Sequence, residues 1–531
     1  MSALAGTRTL AGLALRRERA VAPWWIALNM SMALLLIGYI QRVMPTDAVK
    51  AAYTAVISRN TFFQALGGGF VEPRLDVLAT WRSGGFLYVA SAFAAVMCVV
   101  RHTRAEEDAG RAELLRAAGT GRRAPLTAAL LVAAGTSLLG GLLTALALVA
   151  AGLEPVGSAA YGAAITAVGW VFAGVAAVAV QLSRTARTAT TIGLFTLGVA
   201  YVMRYIGDAT RQYWLKALSP IGWGHLVRPY QDERWWLLGL SAGVAAALCA
   251  LAYALLDRRD LGAGMVPERL GPASAPGPRG PVGTAWRLHR GLLARWAAGV
   301  AVLAIATAGA GTLAGQLAAM PGIAQGLLRN MGGPTGGALD VYQRYMTLIF
   351  AHVIALYPVL MVRRLRSEET SGRAETLLAT PLTRLRWAGG HLALAGLGSA
   401  ALLAVAGVVH GVLYGLLVGD LAADPPRVLA GMLSHVPAVW SVGAAGVLAY
   451  GLLPRASVAV SWAVWILTAV LGQLAGPLYG MWAGTPLEPF HYVPDVFGDG
   501  SFDAGPYLLL FALTAALVGG GLLALRRRDL G

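Results

Sequence analysis

The chain has 531 residues, 57% of them apolar and only 13% charged, with a mean hydropathy of +0.62. A soluble globular chain carries roughly twice that share of charge, so the composition excludes that class and points to a polytopic membrane protein. The formal charge of +16 comes from arginines flanking apolar runs, with no dense basic tract; such charge sets membrane topology and argues against a nucleic-acid partner.

In chain order, Arg8, Arg16, Arg17 and Arg19 precede an apolar run from Pro23 to Ile40. No small-residue cleavage site follows before Pro45, which predicts an uncleaved first span rather than a signal peptide. Crossing a bilayer takes about 20 apolar residues. Runs approaching or exceeding that length lie at 22–40, 84–100, 125–150, 160–182, 190–207 and 235–256, then at 294–317, 344–362, 388–418, 430–453, 457–480 and 506–525. The expected fold is therefore all-α and polytopic, with about 12 transmembrane helices. The stretches 10–25 and 284–299, ahead of the first and seventh spans, mix Arg with Leu and Trp and are expected to lie at the membrane interface. Cys98 and Cys249 sit in separate apolar runs. They are expected to form neither a disulfide framework nor a metal cluster and read as packing residues.

Residues 100–122 (VRHTRAEEDAGRAELLRAAGTGR) and 362–384 (VRRLRSEETSGRAETLLATPLTR) are a charged island met twice, identical at twelve of 23 positions. Two further echoes follow at a second constant offset. Leu218-Ser219-Pro220 parallels Leu487-Glu488-Pro489, and Arg258-Arg259-Asp260-Leu261-Gly262 parallels Arg527-Arg528-Asp529-Leu530-Gly531. Residues 1–262 and 283–531 are thus expected to be tandem repeats, joined by a Pro/Gly-rich linker over 263–282. Six spans return each repeat to its starting side, so the repeats are parallel. Lys and Arg gather on the side of the termini and the charged islands, which predicts a cell-membrane protein with cytoplasmic N- and C-termini.

Thr103 with Glu106 matches a capping box. Glu107 with Arg111, and Glu369 with Arg373, are i,i+4 pairs that favour short exposed helices. On such a helix Glu106, Gly110 and Glu113 share a face, as do Glu368, Gly372 and Glu375. A mid-helix Gly costs about 1 kcal/mol, so its repetition suggests another surface coming close. The word Arg-x-x-Arg-x-Glu-Glu-x-x-Gly-Arg-x-Glu-x-Leu after the second span of each half resembles the ABC type-2 exporter permeases. Within them it resembles the fused two-repeat group of polyketide-antibiotic exporters and tetronasin-resistance permeases of actinobacteria. The resemblance spans essentially the whole chain. It implies a coupling helix in each loop, docked on an ABC ATP-binding subunit, two copies in all. Arg104, Glu106, Glu107, Gly110, Arg111 and Glu113 would meet one; Arg366, Glu368, Glu369, Gly372, Arg373 and Glu375 would meet the other. Asp108/Thr370 and Arg116/Leu378 differ, so the two surfaces need not be equivalent.

Only two lysines, Lys50 and Lys216, occur, and neither follows Gly or precedes Ser or Thr. There is no phosphate-cradling Gly-Lys-Ser/Thr loop, so ATP and magnesium are expected in the partner and no cofactor in this chain. No His-Glu-x-x-His, Cys/His ligand spacing or Gly-x-Ser-x-Gly occurs, and no catalytic residue is expected. Polar groups inside spans often mark a pathway; here Asn29, His352, His410 and His435, with Gln181, Gln316 and Gln473, are candidates for contact with a hydrophobic, drug-like substrate. The rival reading is a proton-coupled transporter of the major facilitator type. Long charged loops, the Glu-Glu pair before Gly-Arg, a long first outer loop and the lack of an evident membrane-embedded carboxylate weigh against it. A membrane-embedded lipid enzyme would need clustered acids; only Asp495, Asp499 and Asp503 offer one.

Overall fold

The computed structural model describes residues 2–260, 262–266, 280–309, 311, 338–469, 488–497 and 504–529. Helices are the regular structure of the described residues, with no strand among them. Among the described residues, eleven helical stretches, with Asp424–Leu452 taken as one, are long and apolar enough to cross a membrane, so the chain is an all-α polytopic membrane protein. It divides into two compact units, Met1–Gly271 and Pro272–Gly531.

In the first unit, α1 (Thr7–Glu18) precedes α2 (Ala22–Val43). Then come α3 (Asp47–Ile57), α4 (Thr61–Gly67) and α5 (Leu75–His102). The charged island holds α6 (Arg104–Asp108) and α7 (Arg111–Ala117). Three long helices follow: α8 (Ala124–Ala150), α9 (Pro155–Leu182) and α10 (Ala186–Ala209). The short α11 (Tyr213–Ala217) and α12 (Pro220–Leu226) lead into α13 (Trp236–Arg258). Starts are set locally. The Glu154 carboxylate accepts from the N–H of Val156 at 2.7 Å and Gly157 at 2.6 Å, with Pro155 at the first position, the arrangement that satisfies orphan helix donors. α5 and α9 form the buried centre. There α8 crosses α9 so closely that a Cβ on Gly141 would stand 2.2 Å from the Gly162 carbonyl oxygen, the small-residue contact expected between membrane helices. Outer helices turn apolar side chains outward, as at Phe195 (72% exposed) and Trp236 (66%), which in a bilayer would meet lipid.

In the second unit, α14 (Gly280–Ala308) precedes α15 (Ala338–Thr370), which contains Pro358, and the short α16 (Arg373–Leu378). α17 (Arg384–Val418) leads to α18 (Asp424–Leu433) and α19 (Val436–Leu452). Then come α20 (Ser457–Ala469), a 3-10 turn at Pro489–Tyr492 and α21 (Ala504–Arg527). α15, α17 and α19 build its core. The expected span 430–453 is two helices broken at Ser434–His435, with Pro437 starting the second. Most of the linker, the ends of the expected spans 294–317 and 457–480, and Gln316, Gln473, Asp499 and Asp503 lie outside the described residues.

Candidate functional site

The two charged islands fold alike. In each, the chain turns at a glycine in the left-handed region, Gly110 at φ 71° and Gly372 at φ 72°, and a short helix begins there. A Cβ at either glycine would meet no atom within 4 Å. The glycines therefore serve the backbone angle; they stand at the start of a short helix, not in mid-helix as the spacing suggested. The shared helix face of Glu106, Gly110 and Glu113, and its counterpart, are lost with them. Nor does Thr103 cap: its hydroxyl donates to the Val99 carbonyl at 2.6 Å.

The acids pair differently from the i,i+4 expectation as well. The Arg111 guanidinium donates to both oxygens of Glu106 at 2.8 Å, and Arg373 donates to Glu368 at 2.8 Å. Crossing the left-handed turn brings each Arg back onto the first Glu instead of the second. The second Glu goes elsewhere. Arg259 donates to both oxygens of Glu107 at 2.5 and 2.9 Å. Arg528 does the same to Glu369 at 2.8 and 2.9 Å. Arg104 and Arg366 join these carboxylates at 2.6 and 3.2 Å. A third repeated residue completes the joint: Arg122 donates to the Arg259 carbonyl at 2.6 Å, and Arg384 to that of Arg528 at 2.5 Å. The repeated loop is thus lashed to the repeated basic string at the end of its own unit. Bidentate Arg–carboxylate pairs suit such a joint, since they fix direction as well as distance.

Several residues of the expected docking surface are buried within their own unit. Arg104 is 1% exposed, donating to the carbonyls of Val180 at 2.7 Å and Ala263 at 3.0 Å. Glu368 and Glu369 are 2% and 7% exposed, and Glu106 and Glu107 are largely covered. The acids face inward because their charge is met there by arginine, and Arg104 because Glu107 and two carbonyls meet its own. What each island turns outward is Arg111, Glu113 and Leu114, and Arg373, Glu375 and Thr376. Attachment to Glu106 holds the Arg111 guanidinium above its ordinary value.

Of the candidate pathway residues, His352 and His435 come together around Phe490, at 4.0 and 6.3 Å between ring centroids. His410 lies apart, stacked on Tyr414 and 3.2 Å from the Thr307 hydroxyl. Asn29 sits on α2 with its Oδ1 buried and without a partner. The Gln181 side-chain carbonyl accepts from Arg259 at 2.6 Å.

Two buried carboxylates escaped the sequence reading. Glu488 is fully buried, with Oε1 2.8 Å from His352 Nε2; its partner stands 136 residues away. Asp208, also fully buried, holds Lys216 at 2.8 Å and Arg204 at 3.4 Å. The i,i+4 spacing of Arg204 and Asp208, and the presence of one of only two lysines, were signals available in the sequence. Burial pushes Lys216 down to about 8 despite the attraction of Asp208. His225 beside it is driven well below its ordinary value by burial and by Arg204 and Lys216.

Residues 8–256 and, again, 279–526 match the family described as multidrug efflux system permease Rv1217c, C-terminal domain. Over 543 aligned residues, 99% of this chain and 96% of the relative, the chain is 40% identical to the multidrug efflux system permease protein Rv1217c of Mycobacterium tuberculosis (strain ATCC 25618 / H37Rv).

Proposed function

The chain belongs to the family of the multidrug efflux system permease Rv1217c, and from that premise we propose that it is the permease subunit of an ATP-driven ABC exporter moving hydrophobic, drug-like compounds out of the cell. ATP and magnesium would be held by a separate ATP-binding subunit, two copies per chain, docked at a cytoplasmic face that carries both charged islands and both termini. The observation that carries this reading is the joint built twice, Glu107 to Arg259 and Glu369 to Arg528, beneath two similarly exposed tips.

The residues divide their labour under this proposal. Arg111 and Glu113, with Arg373 and Glu375, meet the partner. Arg104, Glu106 and Glu107, with Arg366, Glu368 and Glu369, carry its movement into the ends of α13 and α21. Gly110 and Gly372 make the turn between the two groups. Asn29, His352, His410 and His435 remain candidates for contact with substrate, which would be largely uncharged given so few ionisable groups within the spans.

The test is to purify the tagged permease from native membranes and assay the eluate for ATPase activity. An ATP-binding subunit should co-purify, and its activity should fall when Glu113 and Glu375 are both changed to Arg. Reversal at Glu368 would be a poorer probe, because it would break the ion pairs with Arg364 and Arg373 that shape the island. A permease that purifies alone and transports with the proton gradient would sink the proposal.

A further inference from the structure

We propose that Glu18, Cys98 and His102 form a binding site for one divalent transition-metal ion of the zinc class, joining the interfacial helix α1 to the end of α5. The three residues supply a carboxylate oxygen, a thiolate sulfur and an imidazole nitrogen, the ligand types that zinc selects. All three are buried, and their ligand atoms lie within 4.8 Å of one another. Cys98 and His102 are four residues apart on α5, so they project from one face of the helix. Glu18 arrives from the last position of α1, its Oε1 2.8 Å from His102 Nε2. A tetrahedral ion with bonds of about 2.0–2.3 Å holds its ligands roughly 3.3–3.8 Å apart. The triad therefore closes on an ion by small side-chain rotations.

Space beside the triad gives the second observation. Glu18 and Cys98 border a cavity also lined by Ser91, Thr136 and Asn29. The Asn29 Oδ1 is buried there with no partner, 94% of that residue being covered. A water occupying the fourth position would have polar neighbours in such a cavity. His102 borders a second cavity, lined by Arg17 and Glu106, which supplies an approach from the charged island. On binding, the Cys98 thiol releases its proton to solvent. The proton that His102 Nε2 shares with Glu18 passes to solvent, or the ring takes the tautomer with its proton on Nδ1, so that Nε2 is free to ligate.

Arg101 is the competitor. Its Nη1 stands 2.6 Å from Glu18 Oε1 and meets the carboxylate's charge without an ion. A purely structural Glu–His–Arg cluster would need that arginine, whereas a metal site would bind more tightly without it.

The experiment uses the full-length protein in detergent, titrated with cobalt(II) and read by absorbance, then with zinc(II) as displacer. One cobalt per chain is expected, with a thiolate charge-transfer band and tetrahedral ligand-field bands, both abolished by zinc. Cys98→Ser should remove the charge-transfer band and Cys249→Ser should keep it. Glu18→Gln should weaken binding about tenfold or more, and Arg101→Ala should tighten it severalfold. Glu18→Gln also guards against a Cys98 variant that fails to fold. No charge-transfer band in the wild-type chain, or one surviving Cys98→Ser, would overturn the assignment.

Discussion

The two islands share a sequence word and a joint, yet they are fastened to different depths. In the first, the arginine sinks: Arg104 is fully buried against Val180 and Ala263, while the Glu107 side chain keeps 13% of its exposure. In the second, the acid sinks: Glu369 keeps 3% and also accepts from the Tyr450 hydroxyl at 2.7 Å, while Arg366 keeps 19%. The first island has two external ties of its own. Arg17 of α1 reaches Glu106 at 2.6 Å, and Asp108 accepts from the Ala186 N–H at 2.6 Å, where the second island has Thr370. One motif can therefore hold its loop with either end of its ion pair in the interior, so repeated residues need not carry equal energetic weight.

Removing the acid should expose that asymmetry most. Glu369→Ala leaves Arg528, Arg366 and Tyr450 facing an empty site in a buried place, and should cost about 3–5 kcal/mol. Glu107→Ala removes a side chain that keeps 13% exposure and leaves Arg104 and Arg259 still donating to the oxygens of Val180, Gln181 and Ala263, and should cost about 1.5–3 kcal/mol. Thermal unfolding of the two variants in one detergent compares them; equal losses would show that depth of burial is not what separates the islands. Gly110→Ala and Gly372→Ala, each at positive φ with open space around, should cost about 1 kcal/mol apiece. A large difference between these two would mean that one turn is held by something beyond its backbone angle. Arg17→Ala, at an exposed pair, should cost only about 0.2–1 kcal/mol. Protease accessibility of the first island reads this change more finely than a melting point does.

The opposite ends of the units offer a contrast in slope rather than in size. Lys216 is depressed from 10.5 to about 8, so the unfolded chain binds more protons than the folded one between those values. Stability from this group must then rise with pH across that window and stay flat below it. Comparing wild type with Lys216→Met from pH 7 to pH 10 should show the wild type gaining on the variant; a wild type that loses ground would refute the burial of a charged lysine there.

Composition and apolar run length made the all-α membrane fold legible, because a bilayer imposes helix length residue by residue. The islands were legible as repeated words, and the basic strings as a second repeat. That each island binds the basic string of its own unit was hidden, since Glu107 and Arg259 are 152 residues apart and no periodicity links them. The mid-helix reading of Gly110 and Gly372 failed because Ala-rich, charge-paired surroundings look helical while the φ of a single glycine decides the turn. Glu488 was missed because hydropathy places a residue along the chain, not beside His352. Cys98 and His102 were visible four residues apart, but Glu18 was needed to make them a group.

The lash also imposes an order on synthesis. Glu107 is translated well before the Arg259 that completes its pairing, and at ribosomal rates of about 5–20 residues per second those 152 residues occupy roughly 8–30 seconds. During that interval the first island has no mature anchor, although α5 can already be in the membrane. Nascent chains arrested before Arg259 should be cleaved at the island, and chains arrested well past it should resist. The closing of each loop thus marks the completion of its unit, and a folding chaperone or protease could read from that single joint whether the whole unit has been delivered.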